Sequence, residues 1–192
     1  MEAYVLDWLN LLVRWLHFIT GIAWIGSSLY FIWLDNHMQV PRDDADGEKG
    51  VGGEVWAVHG GGFYHAQKYK TSPQTLPGTL HWFKWEAYST WLSGMFLLGL
   101  IYFLGAEVYL IDRSVADLTV AAAVASAVGI IVGGWVIYDL LCKSPLISHT
   151  QLFAVVLLLL SSLLAWGLCE LFSGRAAYIL FGATLGTIMV AN

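Results

Sequence analysis

The chain has 192 residues, 58% of them hydrophobic and only 12% charged. That is about half the charge of an ordinary soluble domain, and with a mean hydropathy of +0.66 and apolar residues in long runs it makes lipid the solvent. A net charge of −5 provides no basic field and excludes nucleic acid as a partner, and the two distant cysteines, Cys142 and Cys169, form neither CxxC nor CxxCH, so neither a zinc knuckle nor covalent haem attachment is encoded.

Five apolar segments are expected, over Trp8–Leu34, Trp85–Leu110, Val115–Leu141, Gln151–Phe172 and Ala176–Asn192. About 20 helical residues cross a bilayer, so the fold class is an all-α membrane protein. It is a polytopic bundle of five spans in a single membrane domain over 1–192, with a long ordered first loop. The N-terminus lacks a basic n-region, and its first apolar run is too long for a signal peptide, which makes it a retained span. The fifth segment is still apolar at "GTIMVAN" and has no flanking anchor. The expectation is that the chain is the N-terminal part of a longer protein.

In the first segment Asp7, Asn10, Arg14, His17, Gly21, Trp24, Ser28, Phe31 and Asp35 recur at steps of three and four, one helical stripe. The other faces are apolar, so Arg14 and His17 point away from lipid, where a charge is costly. His17 either hydrogen-bonds a neighbouring helix or serves as a haem ligand or proton relay. With Arg14 able to pair a propionate, the pair is a candidate site for haem b, whose iron is the one metal the favoured reading assigns.

The first loop, 35–83, is too long to be an idle connection. Residues 41–54, "PRDDADGEKGVGGE", read as a polar, Gly-rich solvated tongue. The stretch after it contains "HGGGFYHAQKY". Val55–His59 and Phe63–Lys70 can pair as a hairpin around Gly60–Gly62, which would put Phe63, His65, Gln67 and Tyr69 on one face. His59, His65, Gln67, Lys68, Tyr69 and Phe63 together offer charge, amide edge chemistry and stacking faces, a set suited to a planar anionic heterocycle. A weak metal site at His59 and His65 is equally allowed.

The second segment opens with Trp82, Lys84 and Trp85, an interfacial anchor. Glu86, Ser89 or Thr90, Ser93 and Gly94 then lie near one stripe, with Glu86 a candidate acid or base at the helix mouth. In the third segment Ala125, Gly129 and Gly133, with Gly134 beside them, predict close helix packing, as do Gly182 and Gly186 in the fifth. Asp139 is either a helix-end charge or a pocket residue. Arg42, Lys49, Lys68, Lys70, Lys84 and Lys143 fall on one side and only Arg113 and Arg175 on the other, which places the N-terminus outside and the loop in the cytoplasm.

Five quoted stretches resemble, in order, the bacterial membrane-bound urate oxidase (urate hydroxylase) family. They are "RWLHFITGIAWIGSSLYFIWLD", "HGGGFYHAQKY", "LHWFKWEAYSTWLSG", "YDLLCKSPL" and "GRAAYILFGATLGTIMVAN". Together they cover nearly the whole chain apart from 41–54. The resemblance implies an eight-helix domain of the bacterial inner membrane that oxidises urate to 5-hydroxyisourate and passes electrons to a cytochrome c. That haem c is expected only in a C-terminal domain beyond this sequence. It implies urate as the ligand of the loop, with His65, His59 and Glu86 as candidate catalytic groups. His59, Gln67, Lys68, Tyr69 and Phe63 would be the substrate contacts. Leu180 departs from a histidine that members carry near this position, so no ligand role is carried over there. The rival readings are a haem-bearing electron-transfer subunit and a purine transporter. The transporter would call for internal repeats and broken mid-membrane helices, and the sequence shows no clear repeat.

Overall fold

The computed structural model describes residues 2–73 and 75–191. The chain forms two compact units, Met1–Gly21 with Glu86–Asn192, and Ile22–Trp85. One continuous helix, α1 (Glu2–His37), belongs to both. At 1.5 Å per residue it is about 54 Å long, well beyond a bilayer's hydrocarbon core.

Among the described residues four helices are long and apolar enough to cross a membrane: α1, α5 (Val120–Lys143), α6 (Thr150–Cys169) and α7 (Gly174–Ala191). Much of their apolar surface is uncovered, as at Leu12, Trp15, Phe18, Leu158 and Leu163. In water such faces would have to be buried; here they suit a lipid solvent. The expected fifth span, Trp85–Leu110, is instead interrupted. It begins as α3 (Trp85–Leu97), widens into a π-helical segment (Leu98–Phe103), breaks at Gly105 and resumes as the single turn α4 (Ala106–Tyr109). Glycine is required at the break, because a Cβ on Gly105 would stand 2.7 Å from the Ile101 carbonyl oxygen. The next helix starts at Val120 and not Val115, with Thr119 capping it by accepting a hydrogen bond from the Ala122 N–H. The connection between the two therefore covers residues 110–119, longer than the four residues expected between Leu110 and Val115. The final segment is helical to Ala191, and Asn192, expected to close it, lies outside the described residues.

The core of the first unit joins the π segment, α4, α5, the end of α6 and α7. Leu98, Tyr102, Leu110, Phe172 and Leu180 fill it around the small residues Ala106, Ala123, Ala127, Ala176 and Ala177. Small residues let helix backbones approach closely, and α5 does so along Ala123, Ala127, Ile131 and Gly134. At Gly134 a Cβ would lie 2.5 Å from Thr184 Cγ2 of α7. This corrects the stripe expected from sequence: Ala125 is exposed, and Gly129, Gly133, Gly182 and Gly186 face open space. Both α5 stripes are rich in small residues, and helical periodicity alone does not choose between them.

The second unit is built on a hairpin. Strand β1 (Val51–His59) pairs antiparallel with β2 (Gly62–Tyr69), with a bulge near Gly52. Gly60 (φ 58°) and Gly61 (φ 80°) make the turn, in the left-handed conformation a two-residue hairpin favours. The strand begins four residues earlier than expected, so 51–54 is sheet and not tongue, and Val51, Gly53 and Glu54 are buried. The remaining tongue is ordered too. It carries the short helix α2 (Asp44–Glu48), whose Asp43 cap accepts from the Ala45 N–H at 2.9 Å. A bridge between Gln39 and Glu54 ties the hairpin to the chain leaving α1, and an edge-on Phe31–Phe83 contact at 4.9 Å fastens the returning chain to the helix.

Candidate functional site

Strand alternation sorts the candidate residues onto two faces. The register pairs Trp56 with His65, Glu54 with Gln67, and Val58 with Phe63. Glu54, Trp56, Val58, Phe63, His65 and Gln67 therefore share one face. His59, Tyr64 and Lys68 lie on the other. The expected cluster is split: His65, Gln67 and Phe63 come together, while His59 and Lys68 point elsewhere. Tyr69 sits at the far end of the strand, opposite Val51. Two histidines on opposite faces of one hairpin cannot share a metal ion. Among the described residues no group of three or more His, Cys, Asp or Glu side chains could hold one either.

Glu54 is the centre of this face, and the sequence reading missed it. It is 4% exposed. Its Oε2 lies 2.8 Å from His65 Nε2, and its Oε1 accepts the Arg42 backbone N–H at 3.1 Å. The His65 ring lies flat on Trp56, with centroids 4.1 Å apart and planes 8° from parallel. The imidazole is thus held on one edge by a carboxylate and on one face by an indole. A carboxylate that fixes a histidine's tautomer and steadies its charged form is the arrangement used for general acid–base work. Around it Trp56 is 55% exposed and Phe63 80% exposed, so aromatic surface is open beside the imidazole. The signal for Glu54 was the alternation Glu54–Trp56–Val58 against Phe63–His65–Gln67. The glycines at 52 and 53 masked it, because they read as loop.

Gln67 is partly committed: its Nε2 donates to Asp46 Oδ2 at 2.7 Å, which docks α2 on the hairpin and leaves the amide oxygen available. Asp46 also pairs Lys49 at 3.0 Å. The hydrogen bond from Lys49 holds the Asp46 carboxyl below its ordinary range, and Asp46 holds the Lys49 ammonium above its own. On the other face Lys68 Nζ reaches Asp35 Oδ1 at 2.7 Å, an exposed pair that fastens the hairpin to the end of α1.

The chain matches the family model of the urate oxidase N-terminal region over residues 3–192. It belongs to the urate oxidase N-terminal family. No curated protein and no solved structure matches it. In this urate oxidase N-terminal domain the remaining candidates lie in the helical unit. His17 Nδ1 sits 3.1 Å from both the Thr90 carbonyl oxygen and Ser93 Oγ of α3. Anchoring one ring nitrogen is what a histidine ligand needs, but the surroundings do not fit a flat macrocycle. Gly94 abuts the ring so closely that a Cβ there would be 2.9 Å from His17 Cε1, and Gly21, expected to receive the haem, faces Thr90 Cγ2. Leu180 is fully buried in the apolar core. Arg14 hydrogen-bonds Asn10 one turn back on the same stripe. Glu86, in the first turn of α3, has one carboxylate oxygen buried without a hydrogen-bond partner among the described residues.

Proposed function

We propose that this chain carries the urate site of a membrane-bound urate oxidase, with the Glu54, Trp56, His65 and Gln67 face of the hairpin as that site. The observation that carries this reading is the Glu54–His65 pair laid against Trp56, on an exposed aromatic face in a chain of the urate oxidase N-terminal family. Urate is flat and, near neutral pH, an anion. Phe63 and the Trp56 edge offer stacking surface, and the Gln67 amide oxygen accepts from a ring N–H. Conversion of urate to 5-hydroxyisourate adds the oxygen of one water and releases two protons and two electrons. His65 Nδ1 takes the first proton, and Glu54 steadies the imidazolium that results. The electrons pass to a cytochrome c, and the protein sits in a bacterial inner membrane with its N-terminus outside and the hairpin on the cytoplasmic side, where Lys and Arg are in excess.

The test is equilibrium urate binding to the purified chain in detergent, read by tryptophan quenching and by calorimetry. His65→Ala and Trp56→Ala should each weaken binding at least about tenfold, the size of a lost stacking or charged hydrogen-bond contact. His59→Ala and Lys68→Ala, on the other face, should stay within about twofold. The reverse order would remove this face from the site.

A further inference from the structure

A cleft of about 640 Å³ opens in the helical unit where α1, the end of the π segment and the start of α7 meet. Arg14 of α1 and Arg175 of α7 both line it, with Asp7, Asn10, Leu104 and Ile179 among the other lining residues. Among the described residues neither arginine makes an ion pair. Arg14 uses only Nε, toward Asn10, which leaves both terminal nitrogens of its guanidinium for a ligand. Two guanidiniums against one carboxylate leave the cleft with an excess of one positive charge.

Depth identifies what it meets. Arg175 is the second residue of α7, whose 18 residues rise about 27 Å, close to the thickness of a hydrocarbon core. Arg175 therefore stands at the edge of the apolar layer, and Arg14 opens onto the same cleft from α1. A cleft lined by two guanidiniums without ion-pair partners among the described residues and by apolar side chains, with Arg175 at the headgroup level, matches a phosphate diester carried on acyl chains.

We propose that this cleft binds the headgroup phosphate of an anionic phospholipid from the leaflet on the N-terminal side. The site is independent of the hairpin and of any reading of its substrate. The test uses the purified chain in detergent, with thermal unfolding and native mass spectrometry as readouts. Phosphatidylglycerol, phosphatidylcholine and inorganic phosphate are added separately. Phosphatidylglycerol should be retained and should raise the unfolding temperature. Phosphatidylcholine should do so far less, and inorganic phosphate not at all. Arg14→Gln and Arg175→Gln should each weaken phosphatidylglycerol retention about fivefold, the effect of one basic residue at an anionic surface. Arg113→Gln, outside the cleft, should leave it unchanged, and Arg14→Lys should keep part of it, which separates lost recognition from lost folding. Equal effects of the two lipids, full protection by phosphate alone, or retention unaltered in both glutamine variants would overturn the proposal.

Discussion

Glycine substitutions separate packed from idle positions at the scale of single residues. Gly94→Ala puts a methyl 2.9 Å from the His17 ring, and Gly134→Ala puts one 2.5 Å from Thr184 Cγ2. Each should destabilise the helical unit by about 1–3 kcal/mol, the usual cost of overpacking. Gly129→Ala, facing open space, should be neutral or slightly stabilising because alanine is the better helix former. Unfolding of the three variants in detergent by denaturant titration checks the order. The same scale shows what the sequence disclosed of the site. His65, Gln67 and Phe63 were legible as strand neighbours with period two. Glu54 was not, because two glycines hid the start of its strand. Nor was the separation of His59 and Lys68, because a face is fixed only once the register is known. For His17 the sequence left hydrogen bond and haem open, and the contacts with Thr90 and Ser93 belong to the first.

Among elements, α2 is held by titratable groups whose pKa values are displaced. Its Asp46 has a depressed carboxyl pKa, first through Lys49, so its contribution to docking is present above the ordinary carboxylate range and is lost as pH falls through and below it. Lys49, raised by Asp46, adds a contribution that is present below the ordinary lysine range and is lost as pH rises above it. Both groups are exposed, so salt should weaken the effect. Amide-exchange protection factors for Asp44–Glu48 should fall below about pH 3.9, the ordinary aspartate value, while those of the β1–β2 ladder persist. A ladder and helix that loosen together would contradict this. The interrupted second span was beyond sequence reading, since its hydropathy is continuous. The π segment and the break depend on Gly105 meeting the Ile101 carbonyl, a matter of backbone path. The long apolar helices α1, α5, α6 and α7 were plain from run length alone.

The whole chain poses the question of sidedness. The proposed topology places residue 46 in the cytoplasm. In a chain with Cys142 and Cys169 changed to serine, Asp46→Cys should resist a membrane-impermeant thiol reagent in intact spheroplasts and react after lysis. Ready labelling before lysis would invert the protein and move the hairpin site to the other compartment. Composition and run length made the lipid solvent legible, and the five quoted stretches made the family legible. What composition could not disclose was the division into two units, because the unit boundary falls inside the uninterrupted helix α1.

The hairpin turn bears on the order of events during synthesis. Its strands are joined by only Gly60 and Gly61, and such local pairings close within about 1–10 μs, whereas a ribosome adds about 5–20 residues per second. Among the described residues the hydrogen-bond and strand partners of Glu54 lie between residues 39 and 67. The face that bears Glu54 and His65 can therefore be complete seconds before α7 has been translated, and it needs none of the later spans to acquire its shape.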